Sequence, residues 1–425
     1  SRDTARLATG CVTVAPKGGC LTRIVEPDES MLSLGVVTAP GLEPITLREM
    51  QDLSVDGEIE ETGLVVARGD RTTLMRLNLH LRTATRVLVR AAQFHASSFA
   101  ELERRSRDIA WEQAIRADRP VRLRVTCRKS RLYHSDAVAE RIARSIQRRL
   151  ATQVQWSSGG DGDTRGDALE DAQLVIVRLM RDVCTLSFDS SGAALHARGY
   201  REAVAKAPLR ESLAAAMLLA GEWRHDAPLL DPMCGSGTIP IEAALMSRRV
   251  APGLERSFAF QWWAEHDAAL WEQLRDRAGA DALESAPAPI FASDRDAGAI
   301  AATLSNAERA GVLSDLEVKR GTISEIEPPA VAGGWVVSNP PYGVRVSDSA
   351  QLYPLYARLG DVLREHCGGW NVILLTADPR MERATRLSLE ERFRTRNGGI
   401  PVRCMAARVP VNSPDARHTV AGPAT

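Results

Sequence analysis

The sequence predicts an α/β protein in which a doubly wound, mostly parallel sheet follows a mixed α+β region, and three observations carry that reading. From about residue 195 onward, apolar runs alternate with helical stretches, the pattern of a parallel sheet covered on both faces. Two of those runs close on an acid, Asp231 and Asp294, and the first leads into a glycine turn and a helix start. Upstream, residues 121–150 switch from a period of two to a period of four, so a strand is followed by a helix.

In chain order, residues 1–35 hold no sustained period and read as a loose leader. "ITLREMQDL" reads as a short amphipathic helix and "GLVVARG" as a strand. Val121, Leu123 and Val125 alternate with Arg122 and Arg124, a half-buried strand. Ser135 is the expected N-cap of the next helix. There Val138, Ile142, Ile146 and Leu150 recur every fourth residue on the buried side, and Arg141, Arg144, Arg148 and Arg149 take the polar side. After a flexible "SSGGDGDTRGD", "ALEDAQLVIVRLMRDVCTLSFDSSG" reads as two strands joined by a turn. The tail "NSPDARHTVAGPAT" is expected to fray.

A length of 425 residues fits two or three domains. No run approaches the ~18 to 20 apolar residues of a bilayer span, so a soluble, cytoplasmic protein is expected. Seven scattered cysteines with no CxxC pair indicate neither a disulfide framework nor a zinc site, and no metal is expected. The net charge of zero hides an asymmetry: residues 71–150 carry 19 Arg and Lys against 7 Asp and Glu. Such a block suits a polyanionic partner, although a solvated arginine-rich face reads the same way.

"LLDPMCGSGTIPIEAAL" (229–245) is the first stretch that carries chemistry. An apolar run ends at Asp231, Gly235 and Gly237 let backbone approach a ligand, and a helix begins near Thr238, with Pro240 tolerated in its first turn. No lysine follows, which excludes a Walker phosphate loop. "IFASDRDAGAIAATLSNAERAG" (290–311) is a strand ending at Asp294, an acid placed to accept hydrogen bonds from ribose hydroxyls, and then a helix capped by Asp296. The tryptophan-rich "RSFAFQWWAEHDAALWEQL" is an insertion between the two signals.

"VVSNPPYGVRV" (336–346) ends a strand on two imides. In a doubly wound sheet ligands sit at the carboxyl ends of the strands, so "WVVSN" delivers Asn339 to that edge. Pro340 and Pro341 stiffen the loop and donate no amide hydrogen, while Tyr342 offers a flat face for stacking. The pattern suits a planar ring with an exocyclic amine, whose two hydrogens Asn339 Oδ1 and the Pro340 carbonyl can accept. His196 and His266 are candidate bases by eye, with packing the simpler role. Arg198, Tyr200 and Arg201 sit at a domain junction, where they could touch a polyanionic partner or link the domains.

"DPMCGSGT" with "NPPY" resembles the class I S-adenosylmethionine-dependent amino methyltransferases. "CRKSRLYHSDAVAERI" resembles the signature of THUMP domains, which bind RNA. "LHARGYREAVAKAPLRESLAAA", "APGL", "FQWWAEHDAALW", "GGWNVILLTADP" and "RNGGIPVRC" are similar to the bacterial 23S rRNA guanine-N2 methyltransferases, the N-terminal half of the RlmKL type. The resemblance spans about residues 36–412. It implies a ferredoxin-like subdomain (36–95), a THUMP domain (96–190) and a Rossmann-like methyltransferase domain (191–412) whose last strands form a hairpin, with a tail from 413.

Carried over by resemblance, Asp231, Pro232, Cys234, Gly235, Ser236, Gly237 and Thr238 line the methionine side of S-adenosylmethionine, Asp294 holds the ribose, and Asn339, Pro340 and Tyr342 hold the target base. Arg128, Lys129, Arg131, Tyr133, His134 and Arg141 contact RNA. The segment from Pro208 to Leu213 covers the cofactor. The chain departs from the pattern once: relatives place an Asp that reads the adenine amine where this sequence has Thr322. A monomer acting on large-subunit rRNA, with no membrane partner and no second, guanine-N7 methyltransferase, is expected. A THUMP-type tRNA guanine-N2 enzyme, a DNA adenine-N6 or protein glutamine-N5 methyltransferase, and a catalytically silent RNA-binding assembly factor remain as alternatives.

Overall fold

The computed structural model describes residues 31–158, 172–201, 209–328, 333–342 and 346–411. The expected leader through residue 30, most of the Gly/Ser-rich stretch, Pro208 and the tail from 412 lie outside the described residues.

The chain begins with β1 (Leu32–Thr38), α1 (Glu43–Asp52), β2 (Gly57–Glu61), β3 (Leu64–Gly69), α2 (Arg71–His80) and β4 (Ala84–His95). Their order across the sheet, β2-β3-β1-β4, is ferredoxin-like. Since β1 pairs with both β3 and β4 it is an interior strand, and its apolar side chains are ordered from Leu32, inside the stretch expected to be leader. Next come α3 (Phe99–Arg107), β5 (Val121–Arg128), α4 (Ser135–Leu150), β6 (Val154–Ser158), β7 (Gln173–Met180) and β8 (Val183–Asp189). The sheet does not stop at the expected subdomain boundary. Antiparallel pairing of β4 with β8, from Leu88↔Asp189 to His95↔Val183, makes one eight-stranded sheet, β2-β3-β1-β4-β8-β7-β5-β6.

Strand β5 alternates as its period predicts, and Val138, Ile142 and Ile146 of α4 are buried. The cap differs: His134 occupies the N-cap position and Ser135 is the first helical residue. Its hydroxyl is engaged by the Cys127 thiol instead.

The second sheet is built from α5 (Glu211–Ala220), β9 (Leu229–Asp231), α6 (Thr238–Ser247), α7 (Ala268–Ala280), β10 (Ile290–Asp294), α8 (Ala297–Arg309), β11 (Leu316–Arg320), β12 (Trp335–Ser338), α9 (Val346–His366), β13 (Asn371–Thr376), α10 (Pro379–Ala384), β14 (Glu390–Asn397) and β15 (Ile400–Arg408). The strand order β11-β10-β9-β12-β13-β15-β14 reverses direction of travel at β9 and β12, which places a ligand crevice at their carboxyl ends. Strands β9 to β13 are parallel, and β15 runs antiparallel to β13, giving the expected C-terminal hairpin.

Each sheet has a core of its own, and a further core joins the two. The tryptophan-rich insertion folds back so that Phe258, Phe260 and Trp271 pack with Leu34, Val36, Leu77 and Val87 of the ferredoxin-like unit. Trp263 donates its indole hydrogen to Gln173 Oε1 at 2.9 Å, and the Arg119 guanidinium lies 3.7 Å over the Trp262 ring. No helix among the described residues is long and apolar enough to cross a membrane.

Candidate active site

Three short elements meet at the carboxyl edge of the second sheet. Strand β9 ends at Asp231, and the chain turns through Pro232 to Gly237 before α6 starts at Thr238. Gly235 and Gly237 both sit at positive φ, +56° and +83°. Their surroundings differ. A Cβ on Gly237 would stand 2.8 Å from Thr303 Cγ2, whereas one on Gly235 would point into open space. The first glycine therefore leaves room for a ligand and the second permits close packing of α6 on α8.

The loop is held from the neighbouring strand and helix. The Gly235 amide donates to Asp294 Oδ2 at 3.0 Å, and the Cys234 amide donates to the Ser293 carbonyl at 3.0 Å. Thr303 Oγ1 donates to the Gly235 carbonyl and Asn306 Nδ2 to that of Ser236, each at 2.9 Å. Arg201 donates to Thr238 Oγ1 at 2.7 Å. Asp296 caps α8 as expected. Asp294 thus stands at the end of β10 with its carboxylate bonded to the glycine loop.

Asp231 is buried and accepts from Ser338 Oγ at 2.8 Å and the Met233 amide at 3.2 Å. Burial pushes its carboxyl up to about 7, with the Asp294 charge adding and the Ser338 and Met233 donors opposing. A cationic amine beside it would restore the ionised form. The Cys234 thiol is also raised by burial, with Asp231 adding, so it is a packing group rather than a nucleophile.

On the other side of the crevice the strand β12 delivers Ser338, Asn339, Pro340, Pro341 and Tyr342. Each neighbour of Asn339 that carries a described contact is tied down. Ser338 is bonded to Asp231, the Pro341 carbonyl accepts from Tyr356 Oη at 3.4 Å, and Tyr342 Oη accepts from Asn397 Nδ2 at 2.5 Å. Oδ1 of Asn339 is buried and takes no hydrogen bond from any described residue. The Tyr342 ring is half-buried, packed at the margin of the core that α5 and α6 form.

Thr322 follows β11, where its hydroxyl hydrogen is engaged while its oxygen can still accept. Both its amide, at 2.7 Å, and its Oγ1, at 3.1 Å, donate to Glu325 Oε2. The Thr322 amide holds the Glu325 carboxyl below its ordinary range.

The basic candidates divide. Arg128, Lys129, Arg131, Tyr133 and His134 are exposed, in a loop pinned by the Arg131 amide to Asp182 Oδ1 at 2.7 Å. Tyr133 is 68 % exposed, with its ring 4.0 Å from that of His134. Arg141 departs from the expectation: its guanidinium lies 3.7 Å over the Phe99 ring and donates to the Ala137 carbonyl, so it braces the module internally. Tyr200 is buried, and Arg198 and Arg201 are partly so. Arg198 donates to the Arg82 carbonyl and so links the domains, whereas Tyr200 donates to Glu242 Oε1 and Arg201 to the Leu209 carbonyl within the second domain. His266 packs on Phe260 in the insertion.

Ser338, Thr303, Asn306 and Asn397 were not singled out from sequence. Thr303 and Asn306 had a signal, two polar residues three apart on the inward face of α8, both fully buried.

Strand order, glycine loop and the two acids define a class I methyltransferase that uses S-adenosylmethionine. A family model described as "RMKL-like, methyltransferase domain" matches residues 198–405, and one described as "RlmL ferredoxin-like domain" matches residues 33–88. The chain belongs to this family of RlmL-like methyltransferases. It is 34 % identical over 365 residues to "Putative RNA methyltransferase slr0064" of Synechocystis, covering 85 % of this chain and 93 % of the relative. It is 34 % identical to "Ribosomal RNA large subunit methyltransferase K/L" of Syntrophotalea carbinolica over 87 % of this chain, but that match spans only 52 % of the relative. Among solved structures, SMU.472, "a putative methyltransferase complexed with SAH", superposes with a TM-score of 0.77 at 26 % identity, covering 91 % of this chain and 99 % of that one. A Listeria monocytogenes protein described as "a predicted N6-adenine-specific DNA methylase" gives 0.76 at 29 % identity, covering 90 % and 96 %.

Proposed function

We propose that the protein methylates the exocyclic amine of a nucleobase in RNA, with the N2 amine of a guanine in 23S rRNA as the specific target. The observation that carries this reading is Asn339 Oδ1, a buried acceptor left open on a loop whose neighbours are tethered. Burying such an atom unpaired costs about 1 to 3 kcal/mol, which a bound amine would relieve.

Oδ1 takes one amine hydrogen and the Pro340 carbonyl the other. Drawing on both hydrogens favours a pyramidal nitrogen, whose lone pair is otherwise delocalised into the ring. When bound, the cofactor supplies a methyl group on a cationic sulfur. Asp231 and the glycine loop hold its amino-acid end, and Asp294 its ribose. The methylated amine is cationic and sheds its proton readily, so no strong base is required.

RNA is favoured by the exposed Tyr133–His134 pair within a basic loop, since unstacked bases pair with aromatic faces. Residues 96–190 would act as the THUMP-type module, and relatives named as RNA and ribosomal RNA methyltransferases support an RNA substrate. The test is nucleoside mass spectrometry of rRNA and tRNA incubated separately with purified protein and cofactor. Guanine-N2 methylation of rRNA is expected, falling about 10² to 10³-fold with Asn339→Ala, by analogy with loss of one preorganised donor. Methylation of tRNA alone would move the substrate to the tRNA class. Cofactor and RNA binding with no transfer, indifferent to Asn339→Ala, would leave an assembly factor.

A further inference from the structure

The hairpin of β14 and β15 turns through Gly398 and Gly399, both at positive φ, +55° and +87°, with Asn397 paired to Ile400. Two positive φ values in a two-residue loop define a type I′ turn, which matches the twist of the flanking strands. Because Thr376, the last residue of β13, pairs with Arg403, residues 400–402 run past the carboxyl end of β13. The hairpin tip therefore stands on the rim that carries Asn339. A carboxamide beside such a turn usually faces water, but Asn397 is 3 % exposed and donates to the Tyr342 phenol.

We propose that Asn397 is a positioning residue for the target base: by donating to Tyr342 Oη it fixes the ring as a wall of the pocket and leaves the phenol hydrogen to donate elsewhere. This rests on the reading of Asn339 to Tyr342 as the target-side loop. A phenol has one hydrogen and accepts through its oxygen. With Asn397 on the accepting side, the hydrogen must turn toward another partner. Tyr342 and Asn339 then offer a donor beside an acceptor. That pair complements a base edge on which a ring acceptor adjoins the exocyclic amine. Burial raises the Tyr342 pKa, so the hydrogen stays in place at neutral pH, the Asn397 bond opposing only in part.

The role separates from simple packing through two substitutions and a cycle. Asn397→Ala frees the phenol. Asn397→Asp, nearly the same shape, can only accept when ionised, so it tethers the ring while taking the phenol hydrogen for itself. Both variants should lower kcat about 10 to 100-fold, the scale of a misplaced reacting group, with cofactor affinity by calorimetry unchanged. On a Tyr342→Phe background, Asn397→Ala should cause no further loss. Wild-type kcat in both Asn397 variants overturns the proposal. So does a loss that multiplies with that of Tyr342→Phe, or one confined to cofactor affinity and melting temperature. Should Asn397→Ala fail to fold, Asn397→Asp and Tyr342→Phe still decide it, because a fully active Tyr342→Phe leaves Asn397 nothing to act through. If Asn339→Ala is silent as well, it is the target-loop reading that falls. If only the Asn397 variants are silent, that reading stands and this proposal falls.

Discussion

Ser338 donates its hydroxyl hydrogen to Asp231 Oδ1 at 2.8 Å, and both residues are buried. The last residue of the strand carrying the target-side loop is thereby bonded to the acid that closes the cofactor-side strand. The two halves of the crevice share one hydrogen bond, and the proton occupancy of Asp231 bears on both.

The Asp231 carboxyl is raised to about 7, chiefly by burial. Its folded value exceeds the unfolded one, so the native state holds a proton that the unfolded chain loses above about pH 4. Stability of the ligand-free protein from this group therefore falls as pH rises from about 4 to about 7. Cofactor affinity should move oppositely, because a cationic amine pairs with the ionised acid. Calorimetry between about pH 5.5 and 7.5 should show tightening with pH and proton release on binding. Ser338→Ala removes a donor that favours ionisation and should shift that rise to higher pH.

The two glycines of the loop should respond differently to alanine. Both substitutions incur the left-handed penalty of roughly 1 to 2 kcal/mol. Gly237→Ala also drives a methyl into Thr303, so its melting temperature should fall further. Gly235→Ala meets no protein atom and should chiefly weaken cofactor binding. Thermal melts and calorimetry on the pair check this; equal melting temperatures with equal affinities would contradict it.

Trp271 is 1 % exposed in a core drawn from both domains. Trp271→Ala should cost about 3 to 5 kcal/mol. Calorimetric unfolding should remain a single transition at lower temperature, since the core around Trp271 joins the two parts.

RNA binding should follow exposure rather than charge. Tyr133→Ala should lose about 1 to 3 kcal/mol if its ring stacks on a base. Removing Lys129 should reduce the slope of log affinity against log salt by about 0.7 if it neutralises one phosphate of unpaired RNA. Arg141→Ala should leave that slope unchanged and lower stability, because its guanidinium is spent on Phe99 and Ala137. Filter binding across a salt series measures all three.

What could be read from sequence was what backbone chemistry announces locally. Glycines at a strand-to-helix turn, an acid at a strand end and two adjacent imides each have few structural uses, and Gly235, Asp294 and Asn339 stand where those uses place them. Partners distant in sequence left no such mark. Ser338 and Asn397 act through residues 107 and 55 positions away, respectively. Arg141 lies on the polar side of its helix as its spacing predicts, but spacing cannot show its guanidinium folded onto the Phe99 ring. The short-range lock of Thr322 to Glu325 likewise appears only once the turn is formed.

The insertion that supplies Phe258, Phe260 and Trp271 to the ferredoxin-like unit limits how such proteins can be recombined. A chimera joining the front of one homologue to the catalytic half of another would pair mismatched aromatic surfaces unless residues 251–280 travelled with the front. A change of side-chain volume on either side of that contact is thus felt by the other, despite the long stretch of chain that separates them.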